Sequence, residues 1–124
     1  MPREFTVDEA NALLPVLEPL MARLLEKRAK SVSLSKELLD IINDMRNDVG
    51  GPVASEMARD FVIIEQLIDE IQSHGCVVKI VSAGLLDFLS ERDERLVYLC
   101  WRYGEPKVTF YHELHTGFSG RRRI

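Results

Sequence analysis

Two imidazoles and a carboxylate fall within four residues near the C-terminus: His112, Glu113 and His115, in the run Tyr111-His112-Glu113-Leu114-His115. They supply enough nitrogen and oxygen to begin a site for a divalent transition metal such as zinc, nickel, manganese or iron. The spacing is not that of the zinc-protease motif, whose two His lie four apart on a helix; here they lie three apart. In a regular strand His112 and His115 face opposite ways, so joint coordination requires a bend, which Thr116-Gly117 can provide. A third or fourth ligand must come from elsewhere, with Glu105, Asp87 and Cys100 as the nearest candidates. Glu113 reads as a third ligand or an acid/base group, and Arg102 and Glu105 as residues that orient the ligands from behind. Two other readings stand beside this one. His112 could hydrogen-bond within a packed aromatic cluster while Glu113 and His115 are solvated, or the same residues could hold a small polar ligand without metal.

The surrounding stretch, Leu96 to Gly120, holds the only Trp, all three Tyr, two of the three His and two of the five Phe. It reads as a β-hairpin running into a Gly-punctuated loop. By alternation Val97, Leu99 and Trp101 share one face while Tyr98, Cys100 and Arg102 share the other. In the partner strand, Lys107 to His112, the set Val108, Phe110 and His112 opposes Thr109, Tyr111 and Glu113. Upstream, Cys76 to Val81 is rich in β-branched residues and reads as a strand, and Gly84 opens another over Leu85–Leu89. Ser90 to Arg95 reads as a charged hairpin tip, and Tyr103 to Pro106 as a connection. The terminal Arg121-Arg122-Arg123 reads as a solvated tail, the alternative being a grip on a phosphate or an acidic partner.

The chain before Gly75 is helical scaffold. Thr6-Val7-Asp8-Glu9 matches the capping box. Pro15 and Pro19 predict a kink or restart near Leu14, since proline lacks the N–H and clashes with the preceding turn. From Val16 to about Asp48, steps of three and four give Leu17, Leu20, Leu24, Lys27, Ser31, Leu34, Leu38, Ile41 and Met45, a seam with a polar gap at Lys27 and Ser31. Val49-Gly50-Gly51-Pro52 is expected to end this helix. A second, from Val53 or Ala54 to His74, carries the stripe Met57, Phe61, Ile64, Ile68 and Ile71, with Gly75 as its cap. At ~1.5 Å per residue the first helix outruns the second by about a third of its length. That leaves the apolar Leu17–Leu25 face needing cover from the sheet, a bend near Lys27–Ser31, or another protomer.

These elements predict an α+β fold: a long antiparallel helical hairpin followed by a small antiparallel β-meander, with helices over about 6–74 and the sheet and C-terminal loop over 76–124. The 124 residues suit one domain. A net charge of −4 argues against general nucleic-acid binding, and no apolar run approaches the ~20 residues of a membrane span. The N-terminus lacks a signal-peptide pattern, and Cys76 and Cys100 lack CxxC spacing. Both features point to reduced thiols in the cytoplasm. No GxGxxG, Walker A, GxSxG or EF-hand pattern occurs, so no reaction class is indicated.

The opening FTVDEANALLP, the turn GGP and the run VYLCWRYGEPKVTFYHELHTGFSGR resemble a family of small, mostly bacterial proteins catalogued as domain of unknown function 2203. The resemblance implies that Trp101, Arg102, Gly104, Glu105, His112, Glu113, Gly117, Phe118 and Gly120 form one structural signature. It also implies that the position of His115 is commonly an Asp, an exchange compatible with a metal site or with a plain surface turn. It carries no activity. The functional expectation is a metal ion or small polar ligand at the His/Glu cluster. The alternative is an interaction or homo-oligomerisation module acting through the Leu17–Leu25 helix face.

Overall fold

The structure, a computed structural model, describes residues 3–43 and 51–124. Two helices, α1 (Val7–Asn43) and α2 (Gly51–Gln72), precede a five-stranded antiparallel sheet. The strands are β1 (Val77–Ile80), β2 (Leu85–Arg92), β3 (Arg95–Arg102), β4 (Phe110–Glu113) and β5 (Arg122–Arg123). They lie in the sheet in their sequence order, so every strand pairs with the next one along the chain. The fold is the expected α+β.

The capping box forms as predicted. Thr6 Oγ1 accepts from the Glu9 amide at 3.1 Å, and Glu9 Oε1 accepts from the Thr6 amide at 2.8 Å. Beyond it α1 runs unbroken through Pro15 and Pro19, so the expected restart near Leu14 does not occur. Both prolines lie on the exposed face, where the carbonyls they leave unpaired stay hydrated. On the opposite face Leu14, Leu17 and Met21 are buried in the core. Gly51 and Pro52 begin α2 rather than ending α1. Proline suits a first helical turn, where its missing N–H would have had no partner. The seam positions Ile41 and Met45 and the stop at Val49-Gly50 lie outside the residues whose side chains or structure are described.

The helices are antiparallel, since Lys27 pairs with Asp60 while Lys30, one turn later, reaches back to Glu56. Along α2 the stripe follows the expected positions with one exception. Phe61 is 56% exposed and its neighbour Asp60 is buried instead. The cause is the polar gap in α1: Lys27 and Lys30 approach the Asp60 carboxylate at 3.6 and 3.5 Å, turning that residue inward and Phe61 outward. Ser31 Oγ and Asp60 Oδ2 are both enclosed there without a hydrogen bond.

Leu17, Met21 and Leu24 are fully buried, in one core with Leu67 and Ile71 of α2 and Leu86, Phe88, Val97, Leu99 and Trp101 of the sheet. Each such side chain contributes about 1.5–3 kcal/mol. The apolar overhang of α1 is therefore covered within the chain by the sheet. Among the described residues no helix is long and apolar enough to cross a membrane.

Several strand limits differ from expectation. β2 and β3 continue to Arg92 and Arg95, so the hairpin turn is only Asp93-Glu94. Both turn residues have positive φ, 51° and 62°, which matches the twist of tight hairpins. β4 starts at Phe110, and Val108 leaves the ladder to pack in the helix-side core, its amide donating to Asn11 Oδ1 at 2.7 Å. The terminal arginines are not a free tail. Arg122 and Arg123 pair with Tyr111 and Phe110 as β5.

Candidate functional site

Register decides which side chains meet. Asp87 lies directly across from Cys100, and Tyr98 across from His112. Directly opposed residues of an antiparallel pair project to the same side. Asp87, Tyr98, Cys100, Phe110 and His112 therefore share the face turned away from the helices, while Val97, Leu99, Trp101, Tyr111 and Glu113 share the helix-side face.

On that outer face three side chains converge. His112, Asp87 and Cys100 are 2%, 1% and 1% exposed, and one potential ligand atom from each lies within 4.8 Å of the others. His112 Nδ1 is 2.8 Å from the Glu113 carbonyl oxygen. That oxygen has no proton to give, so Nδ1 is the donor. Nε2 then faces both Asp87 oxygens at 3.1 Å, a contact that a proton between the two groups or a cation must bridge. The Tyr98 ring packs beside the imidazole at 5.6 Å.

Burial and the Asp87 carboxylate push the Cys100 thiol up to about 12, with the positive charge of Arg121 opposing them. Cys76, buried on its own beside the end of α2 and donating to the Ile71 carbonyl, is pushed up to about 11 by burial. Neither is a thiolate at neutral pH in the metal-free chain, so neither is poised as a nucleophile.

Of the residues first singled out, only His112 belongs to this cluster. Glu113, one residue on, projects to the other face and takes Arg95 in a two-point pair, Nε to Oε1 at 2.6 Å and Nη2 to Oε2 at 3.0 Å. Hydrogen bonding to Arg95 holds its carboxyl below the usual range. His115 is exposed in the turn after β4, closed by the Thr116 amide donating to the Glu113 carbonyl at 3.2 Å. The chain does bend there, but the bend leaves His115 in solvent.

Glu105 and Arg102 belong to a neighbouring arrangement. Glu105 Oε1 accepts from the Arg102 amide at 2.6 Å, its Oε2 accepts from Arg121 at 2.6 Å, and its carbonyl accepts from the Trp101 indole at 3.0 Å. The Arg102 side chain itself is exposed. Asp87 and Cys100, held in reserve as further ligands, are the ones that join His112. Strand alternation put Cys100 with Tyr98 and His112 with Phe110, but only the register between β3 and β4 brings the two sets to one face. Arg121 carried no signal beyond its place in a basic run.

The donor set suits a metal. Zinc takes sulfur at about 2.3 Å and nitrogen or oxygen at about 2.0–2.2 Å, commonly with three protein ligands and one open position. Nδ1–H donating to a carbonyl is the usual way a ligating His is fixed in orientation and tautomer. Comparison with curated proteins and with solved structures gave no match. The family described as "Uncharacterized conserved protein (DUF2203)" matches residues 3–124. Its span takes in both helices and all five strands, the cluster included, and the chain belongs to that family.

Proposed function

We propose that this protein binds a divalent transition metal ion through Asp87, Cys100 and His112. The observation that carries the reading is the His112 imidazole, buried with Nδ1 committed to a carbonyl and Nε2 turned to a carboxylate beside a thiol. A mixed nitrogen, oxygen and sulfur set favours zinc or a similar borderline cation over magnesium or calcium, which take oxygen alone. Binding would displace the Cys100 proton, and the cation would offset the cost of burying Asp87. When bound in such a three-ligand site, the ion supplies Lewis acidity at its remaining position. The chain's part is to keep that position dry, to fix the imidazole through the Glu113 carbonyl and to fix Asp87 through strand register.

The test is metal content by mass spectrometry on untagged protein purified without chelator. Near-stoichiometric metal is expected, lost in His112→Ala and in Cys100→Ala but retained in His115→Ala. Metal-free wild type that cannot be loaded with zinc, or equal loss in His115→Ala, would overturn the assignment.

A further inference from the structure

Beside the cluster lies a cation that the metal reading does not use. The Arg121 side chain, just before β5, is one-tenth exposed. Its guanidinium stacks 4.0 Å from the Phe110 ring and 4.6 Å from the Phe118 ring. Phe110 lies directly across from Cys100 in the ladder, so the stack carries the charge over the same face as Asp87, Cys100 and His112.

An arginine fork presents parallel N–H groups to two oxygens at once. Here Glu105 gives it only one, Oε2 on Nη2, because Oε1 is drawn off by the Arg102 amide. Arg121 Nε is enclosed and has no hydrogen-bond partner. Buried N–H groups seldom stay unpaired, and a half-filled fork between two aromatic rings fits an additional oxygen.

Resting on the metal reading, we propose that the site takes a small oxyanion, phosphate or carboxylate, held jointly by the metal and the unfilled N–H groups of Arg121. The ligand is an anion because the cation of the proposed site and the buried guanidinium on the same face would both attract negative charge. It is small because the cluster residues are almost wholly enclosed.

The experiment uses the full chain loaded with Co²⁺, whose thiolate charge-transfer and ligand-field absorption report the site directly. Inorganic phosphate and acetate are titrated separately into wild type, Arg121→Met and Arg121→Lys. Each variant's spectrum before anion is added shows whether its site has formed, and the lysine keeps the charge while losing the fork. The expected result is a saturable ligand-field shift with one of the two anions, weakened roughly tenfold or more in the variants. A cobalt spectrum that neither anion changes would overturn the oxyanion inference and leave the metal reading standing. A shift of equal affinity in the variants would overturn the role of Arg121. No thiolate–cobalt absorption in wild type would sink the metal reading, and this one with it.

Discussion

On the outer face of the sheet, burial and the neighbouring Asp87 carboxylate hold the Cys100 sulfur in its protonated form. Cys100 titrates near 9 when free and near 12 in the fold, so the folded chain favours the neutral thiol. A raised folded value stabilises fully below the unfolded pKa and is lost as pH climbs toward the folded one. In metal-free protein the unfolding free energy should therefore decline between pH 9 and 12, with Cys100 contributing at most about 1.4 kcal/mol per pH unit. Cys76 contributes in the same direction between 9 and about 11. Tyrosines and lysines titrate in this range as well, so the readout is a difference. Urea unfolding at pH 8 and pH 10.5 should show a smaller decline in Cys100→Ala than in wild type. Equal declines would mean that Cys100 is not held neutral by its surroundings.

At the scale of elements, the β2–β3 hairpin shows local conformation subordinated to register. Asp93 and Glu94 both sit at positive φ, where a residue with a Cβ is disfavoured by about 1–2 kcal/mol. Glu94→Gly should relieve that, raising stability by about 0.5–1 kcal/mol by urea unfolding; an unchanged or lowered midpoint would contradict the argument. What holds the turn in place is the eight-residue pairing from Leu85↔Arg102 to Arg92↔Arg95. The sequence pattern placed a charged tip at Ser90–Arg95 but not its two-residue turn, because charge marks exposure and not φ. Apolar periodicity found α1, α2 and four strands, and the alternation within each strand, but not the register that gives Cys100 and His112 one face. It could not find β5, since two arginines carry no strand signal and pair only because β4 offers an edge. It misplaced Phe61, because an ion pair across the helices, set by Lys27 and Lys30, outweighed the apolar stripe. Proximity in sequence likewise suggested His112 with Glu113 and His115, whereas the strand pleat separates them and pairing across strands brings in Asp87.

At the scale of the molecule, both layers share one core, so they are expected to unfold together. Trp101 is fully buried on the sheet side of it and Leu17 fully buried on the helix side. Leu17→Ala should cost about 2–5 kcal/mol. The far-UV signal, dominated by the helices, and Trp101 fluorescence should shift to lower denaturant by the same amount; two separate midpoints would show that the layers are energetically independent. The N-terminus closes this core in a particular way. Phe5 donates to the Leu89 carbonyl at 2.7 Å, its own carbonyl accepts from Ser90 Oγ at 2.6 Å, and its ring meets Phe88 edge-on at 5.2 Å. It thus takes the flank of β2 that the four-residue β1 leaves open. The sheet, whose strands all pair with sequence neighbours, can zip up from short loops. The Phe5–Ser90 contact spans 85 positions, a loop closure that only the finished β2 can reward. The stretch around Phe5 is thus among the last to be locked, and α1 waits for the sheet before its leading turn has anywhere to dock.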